Sequence, residues 1–152
     1  MTASVIVVGV DGSPGSRTAL RWALGEAART GALVEATTAW EREPPPAPRK
    51  YPASDLHRVV EEVRADVPGA PDVAEVTVVG NASSVLVGAS RQADLLVVGT
   101  RGGGPLVDLL MGSVASDCVR HSACPVVVIP PGVDLQRGDA PSGRATASGR
   151  GD

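Results

Sequence analysis

The sequence predicts an α/β fold built on a doubly wound sheet of five parallel strands. Short apolar runs alternate along the chain with segments whose apolar residues recur at helical spacing. The runs at residues 5–10 and 95–98 are apolar almost throughout, which is typical of strands covered by helices on both faces of a sheet. Because such sheets bind ligands beyond the carboxyl ends of their strands, we expect the functional residues there.

The chain begins with a predicted strand, helix and second strand. After the first strand, Ser13 is a suitable helix N-cap, and Pro14 suits the first helical position because it lacks an amide hydrogen. Apolar residues at helical spacing follow, and Gly31 is predicted to end the helix. Residues 32–40 then form the second strand. This arrangement places Asp11 at the carboxyl end of the first strand.

The connection between the second and third predicted strands combines a proline-rich segment with a short helix. Residues 41–52 contain five prolines, which excludes a regular helix or strand there. An amphipathic helix follows, predicted to be capped by Ser54 and ended by the Pro-Gly pair at 68–69. Residues 73–79 form the third strand, and Asn81 is predicted to cap the third helix.

The most informative motif follows the fourth predicted strand. Gly99, Gly102 and Gly112 stand in the frame G-x2-G-x9-G-[ST], which Ser113 completes at the start of the last predicted helix. Residues without a Cβ let backbone N–H groups approach anionic oxygens, and the helix end adds unpaired donors and a positive dipole. A strand, a glycine loop and a helix N-terminus in this order therefore indicate phosphate binding.

The last part of the chain predicts one more strand and a tail. Residues 125–129 form the fifth strand, and the prolines that flank it favour an edge position because proline cannot donate to the ladder. Residues 132–152 are rich in Gly, Ser, Ala, Pro and Arg without an apolar period, so we expect a disordered tail. The folded domain is thus predicted to span residues 1–131.

The glycine frame resembles the ATP-binding branch of the universal stress protein family. The resemblance covers roughly residues 4–131, because four landmarks occur in the family's order: VIVVGVDGSPGS at 5–16, TAWE at 38–41, GNASSVLV at 80–87 and GSVASDCVRHSACPVVVI at 112–129. It implies a Rossmann-like three-layer sandwich of the adenine nucleotide α-hydrolase type with strand order 3-2-1-4-5. The ligand crevice would then lie between the first and fourth strands.

The resemblance also implies ATP, with Mg²⁺, as the ligand. It assigns phosphate binding to Gly102, Gly112, Ser113 and the backbone of Val114, and it places Gly99 nearer the ribose. Two alternatives stay open at these positions. The glycines could provide turn geometry without any ligand, and Ser113 could act only as the helix cap, although a capping hydroxyl is compatible with phosphate binding.

Three further residues have two interpretations each, and Ala39 has one. Asp11 could order the Asp-Gly turn, or it could accept hydrogen bonds from ribose hydroxyls or hold a water on Mg²⁺. By resemblance the backbone of Ala39 would meet the adenine edge, whereas Trp40 fits the core or a pocket wall equally. Arg101 is either a solvated loop charge or an attractant for phosphates. Family members often carry a basic residue where this chain has Gly103, which favours weaker binding or greater reliance on Mg²⁺.

Composition and charge exclude several classes of partner. The net charge of −3 gives no general attraction to nucleic acid or to an anionic membrane. No apolar run approaches the roughly eighteen residues that cross a bilayer. The N-terminus lacks a basic-then-apolar export pattern, so we expect a cytoplasmic protein.

The histidines and cysteines predict no further chemistry. His57 and His121 lie on predicted helices without a second ligand at metal-binding spacing, so no metal site is predicted. Cys118 and Cys124 are too few to scaffold a fold, and we expect them to pack as small buried hydrophobic residues rather than form a disulfide.

The sequence favours binding over turnover. A P-loop enzyme needs a lysine in its glycine motif, but the only lysine is Lys50 in the proline-rich segment. We therefore assign no catalytic residue and expect at most weak ATP hydrolysis. Our first hypothesis is a nucleotide-responsive stress module that forms a homodimer through Val126–Ile129, as the family and the open edge strand imply. The alternatives are a slow ATPase or phosphotransferase that uses Asp11 and Mg²⁺, and a scaffold that binds no nucleotide. No downstream protein partner can be named.

Overall fold

A computed structural model describes residues 3–41, 52–100 and 111–130. Strands and helices alternate through these ranges. In chain order they are β1 (Val5–Gly9), α1 (Pro14–Thr30), β2 (Leu33–Trp40), α2 (Pro52–Ala65), β3 (Val73–Val79), α3 (Ala82–Ser90), β4 (Leu95–Gly99), α4 (Ser113–His121) and β5 (Val126–Ile129). The predicted tail at 132–152 lies outside the described residues.

The sheet is parallel throughout and has the order β3-β2-β1-β4-β5. The α/β class, the doubly wound sheet and the strand order 3-2-1-4-5 are therefore confirmed. β1 lies at the centre, where Val7 pairs with Glu35 of β2 and with Leu96 of β4. β5 pairs with β4 alone among the described strands, which agrees with the edge position that its flanking prolines predict.

Two apolar cores cover the two faces of this sheet. On one face, α1 and α2 pack against alternate residues of the strands, including Ile6 and Val8 of β1. On the other face, α3 and α4 pack against the residues between them, including Val7. Because successive side chains of a strand point to opposite faces, burial on both sides explains why β1 is continuously apolar.

The ends of α1 and α3 form as their sequences predict. The Ser13 side chain accepts a hydrogen bond of 3.2 Å from the Ser16 amide, and the Asn81 side chain caps α3 by accepting one of 2.8 Å from the Ser84 amide. α1 ends at Gly31, which adopts a φ of 83°, a left-handed conformation that glycine tolerates best. These caps fix where the chain leaves β1 and β3.

α2 differs from its sequence prediction at both ends. The helix begins at Pro52 rather than after a cap at Ser54, because proline suits the first helical turn. It ends at Ala65, before the Pro-Gly pair, because the backbone tightens into a turn in which the Asp66 amide donates to the Val63 carbonyl at 3.0 Å.

The two cysteines are free thiols in different surroundings. Cys118 is fully buried in the core between α4 and the sheet, which confirms its role as a small apolar residue. Burial raises its pKa to about 11, with smaller contributions from the charges of Asp117 and Cys124. Its thiol therefore stays protonated at neutral pH. Cys124 is only partly buried, so the prediction of burial holds less well for it.

Among the helices of the described ranges, none combines the length and the hydropathy that crossing a membrane requires.

Adjacent threonines of β2 make a matched test of buried hydroxyl groups. Thr37 is 2% exposed, and its Oγ1 has no hydrogen-bond partner within the described part of the chain. Thr38 Oγ1 instead donates to the Val10 carbonyl at 2.6 Å. We expect Thr37→Val to raise the free energy of unfolding by about 1 kcal/mol, because it removes an unsatisfied polar group.

Thr38→Val is the control for this prediction. It should lower the free energy of unfolding by about 1 kcal/mol, because it leaves a carbonyl unpaired. Urea denaturation followed by circular dichroism measures both changes. Destabilisation by Thr37→Val would show that its hydroxyl has a partner in solution.

Candidate functional site

The carboxyl ends of β1 and β4 lie side by side, and the helices that come next in the chain, α1 and α4, pack on opposite faces of the sheet. α1, which follows β1, packs on the same face as α2. α4, which follows β4 in the sequence, packs on the other face with α3. Such a divergence of connections opens a crevice at the edge of a parallel sheet, where ligands of α/β proteins bind. Val8 pairs with Val97, so the same register continued two residues brings Val10 level with Gly99.

Asp11 is exposed at this edge and orders the turn after β1. Its Oδ1 accepts a hydrogen bond of 2.9 Å from the Ser13 amide, and its own amide donates to Ser16 Oγ at 3.2 Å. The turn-ordering interpretation of Asp11 is thus observed. A carboxylate has about four acceptor positions, so this single contact leaves Asp11 able to accept hydrogen bonds from a ligand as well.

Gly99 ends β4 in close contact with the first turn of α1. A Cβ atom at this position would lie 2.9 Å from both the carbonyl carbon and the carbonyl oxygen of Gly15. Real Cβ atoms do not approach a backbone that closely, so only glycine lets the two segments meet. The sequence pattern does not predict these contacts of Gly15 and Ser16, although the small-residue run GSPGS at 12–16 is a signal for close packing.

A backbone hydrogen bond joins the end of β4 to the start of α4. The Gly112 amide donates to the Thr100 carbonyl at 2.6 Å, and the Thr100 amide donates to the Ile129 carbonyl at 3.1 Å. The N-terminus of α4 is therefore held directly beside the crevice. Arg101 and Gly102 lie outside the described residues, so their predicted roles stay predictions.

The N-cap of α4 is Gly112, and Ser113 is the first helical residue. Ser113 is thus not the helix cap, because Gly112 has the extended backbone of a cap, with φ −67° and ψ 168°. Glycine has no side chain to accept from the first-turn amides, and no side-chain hydrogen bond caps α4 within the described residues. The amides of Ser113 and Val114 therefore belong to the unpaired donors of this helix end.

This helix end differs from those of α1 and α3, which serine and asparagine side chains cap. Its position is nevertheless well fixed. Ala115 and Cys118 are buried against the sheet, and Asp117 accepts a hydrogen bond of 2.7 Å from Ser83 Oγ of α3. Unpaired amides on a fixed helix, together with the positive end of its dipole, form a preorganised environment for an anion.

The end of β2 forms the neighbouring part of the edge. Gly9 pairs with Thr37, so the continued register brings Asp11 level with Ala39. Ala39 and Trp40 are both partly buried. Partial burial fits both interpretations of Trp40, as a core residue and as part of the pocket wall. The described members of the predicted site meet at one edge of the sheet; they are Asp11, Ala39, Gly99, Gly112, Ser113 and Val114.

A separate cleft of about 510 Å³ lies along α3. Its lining includes Val7, Thr37, Val78 and Val85, where α3 leaves the β2–β3 face of the sheet uncovered. None of the predicted site residues contributes to it. This cleft is therefore distinct from the candidate site.

Comparison with known proteins assigns the family. Residues 3–130 match the sequence model of the Universal stress protein family. The chain belongs to this family. Two mycobacterial members are each 34% identical: universal stress protein Rv2623 of Mycobacterium tuberculosis, over 139 residues, and universal stress protein Mb2019 of Mycobacterium bovis, over 152 residues. Each alignment covers 82% of this chain but only 46% and 47% of these relatives, so the chain spans about half their length.

Solved structures of universal stress proteins share the fold. One, determined in complex with cAMP, is 32% identical with a TM-score of 0.66, and the match covers 85% of this chain and 98% of that one. Another, from Archaeoglobus fulgidus in complex with dAMP, is 24% identical with a TM-score of 0.62, over 85% and 99% of the two chains. Because the second structure is only 24% identical, its similarity supports the shared fold and nothing about function.

The contact between Gly99 and Gly15 leads to a stability prediction. Gly99→Ala should lower the free energy of unfolding by about 1 to 3 kcal/mol, because its methyl group would force apart two backbone segments. The control is Gly25→Ala, at an exposed position inside α1 where a Cβ meets nothing within 4 Å. Alanine favours a helix more than glycine does, so the control should gain about 0.5 to 1 kcal/mol.

Chemical denaturation of both variants measures these changes. Equal stability of Gly99→Ala and the wild-type protein would contradict the close approach between β4 and α1.

Proposed function

We propose that the protein binds an adenine nucleotide in the crevice between β1 and β4 and acts in the cytoplasm as a nucleotide-responsive stress module. The observation that carries this proposal is the N-terminus of α4. Its first-turn amides lack a side-chain cap among the described residues, and they lie where the connections of the sheet diverge. A phosphate would supply the missing acceptors and would interact favourably with the helix dipole.

The adenine part of the proposal draws support from a relative. The universal stress protein that is 32% identical to this chain was solved in complex with cAMP, a ligand with an adenine base, a ribose and a phosphate. We infer an adenylate for this chain as well, and ATP with Mg²⁺ as the preferred form. The family's motif, complete here from Gly99 to Ser113, supports that choice.

Each candidate residue has a defined role in this proposal. Backbone amides of Ser113 and Val114 would bind the phosphates together with Gly102, and Arg101 would attract them. Gly112, whose own amide already donates to the Thr100 carbonyl, would border the phosphates and leave room for them because it has no side chain. Gly99 would border the ribose and the Ala39 backbone the adenine edge. The lone pairs that Asp11 does not use in its turn would accept from ribose hydroxyls or from a water on Mg²⁺.

We propose binding without efficient turnover. The sequence contains the phosphate-binding frame but no lysine within it, so the charge that P-loop enzymes place on the transferring phosphate is absent from the motif. The bound nucleotide would instead favour one arrangement of the glycine segment and α4, which a partner protein could recognise. Sustained release of ADP that is lost in Asp11→Ala would instead favour a slow ATPase.

Thermal melting tests nucleotide binding directly. The melting temperature should rise with the concentration of ATP–Mg²⁺. At a ligand concentration of one hundred times the dissociation constant, binding should add about 2.7 kcal/mol to the free energy of unfolding. AMP and cAMP, measured in parallel, rank the adenylates. Absence of any shift with all three ligands would favour the scaffold hypothesis.

Gly112→Asp sharpens this test because it should change stability and binding in opposite directions. The extended backbone of Gly112 suits an aspartate cap, which would gain roughly a few tenths of a kcal/mol in the free protein. The same carboxylate would occupy the phosphate position, so ATP affinity should fall at least tenfold. Gly112→Asn is the matched control, since it caps without charge and should weaken binding less. Wild-type affinity in both variants would exclude the α4 N-terminus as the phosphate site.

We also propose a homodimer formed through Val126–Ile129. β5 lies at the edge of the sheet among the described strands, and its valines are only partly buried, so the outer side of this apolar strand pairs with no other described strand. Sedimentation equilibrium should yield twice the chain mass, and Val128→Lys should shift the protein toward the monomer. A monomer at all concentrations would rule out this assembly.

A further inference from the structure

A cluster of three side chains of metal-ligating types lies where α2 packs on β3. It consists of His57 and Glu61 of α2 and Glu75 of β3, whose ligand atoms all lie within 4.8 Å of one another. None of the three belongs to the candidate nucleotide site. The imidazole makes this set chemically different from the acidic pairs that are common on protein surfaces.

Two rigid elements hold these ligands in position. His57 and Glu61 are four residues apart on one helix, so their side chains project from the same face. The expectation from the sequence that His57 has no second ligand at metal-binding spacing did not include Glu61. Glu75 reaches them from β3 on the face of the sheet that α2 covers. The Nδ1 atom of His57 lies 2.9 Å and 3.1 Å from the two carboxylate oxygens of Glu75.

These separations suit a small divalent ion. Ligands about 2.1 Å from a zinc ion in tetrahedral or octahedral geometry lie about 3.0 to 3.4 Å from one another. The distances of 2.9 Å and 3.1 Å between His57 Nδ1 and the Glu75 oxygens are already near that range. The Glu61 side chain is 50% exposed, so it can rotate to complete the set without disturbing the core.

The charges around the cluster also favour a cation. Two carboxylates lie close together, and within the described ranges the Arg64 guanidinium contacts one of them, at 3.3 Å from Glu61. The Arg64 guanidinium shares its N–H groups among three acceptors, because it also donates to the Pro71 carbonyl at 3.0 Å and to Asp72 at 3.2 Å. It therefore does not neutralise Glu61 alone. A divalent ion would interact with both carboxylates at once.

We propose that His57, Glu61 and Glu75 form a binding site for a divalent transition-metal ion of the zinc type. An imidazole nitrogen with two carboxylates favours such an ion over Mg²⁺ and Ca²⁺, which prefer oxygen ligands throughout. The bound ion would join α2 to the edge strand β3. Three protein ligands leave further coordination positions for water.

Calorimetric titration of the full chain with zinc chloride, without nucleotide, tests the site. We expect the wild-type protein to bind Zn²⁺ at this site, and both His57→Ala and Glu75→Gln to weaken that binding at least tenfold. His121→Ala removes the histidine at the end of α4 and should leave the affinity within twofold of wild type. Equal zinc affinity in His57→Ala and the wild-type protein, or no saturable binding, would overturn the proposal.

Thermal melting gives a second measurement that separates this site from the nucleotide crevice. Zinc should raise the melting temperature of the wild-type protein but not that of Glu75→Gln, a variant that keeps the size of the side chain. The shift caused by ATP–Mg²⁺ should be the same in both proteins, so either proposal can fail without the other. A zinc-dependent shift that persists in Glu75→Gln would contradict the site.

Discussion

The contact between Gly99 and the Gly15 backbone is the constraint on which the crevice depends. It sets the separation between the end of β4 and the first turn of α1, and the Thr100–Gly112 hydrogen bond then fixes α4 relative to β4. Because both contacts are between backbone atoms, the geometry of the edge does not rely on flexible side chains. A site built this way presents main-chain donors whose orientation is set before any ligand arrives.

Three of the helices that follow strands at this edge, α1, α3 and α4, differ in how their first-turn amides are paired. In α1 and α3 a cap side chain accepts from one first-turn amide, which stabilises the free protein. α4 has a glycine at the equivalent position, so it lacks the stabilisation that a side-chain cap would add. Its anchoring by buried Ala115 and Cys118 and by the Asp117–Ser83 hydrogen bond offsets the loss, so that the helix end stays ordered while its donors remain available.

Much of this architecture could be predicted from the sequence because its signals are local. A run that is apolar on both faces predicted β1, and Ser13, Gly31 and Asn81 were assigned correctly because caps depend on neighbouring residues. The sequence leaves open whether Ser113 caps α4 or binds phosphate, and the backbone conformation of Gly112 decides that the cap is Gly112. The contact of Gly15 with Gly99 and that of His57 with Glu75 could not be predicted, since both join elements that only the folded sheet brings together.

The central position of β1 has a consequence for biosynthesis. β1 and β4 are neighbours in the sheet, yet the hydrogen bond from the Val5 amide to Asp94 closes a separation of 89 residues. Contacts between such distant positions form late and slowly, because the intervening chain must first be ordered. The crevice cannot exist on a ribosome-bound fragment that lacks β4, so it can form only after β4 and the start of α4 have left the ribosome.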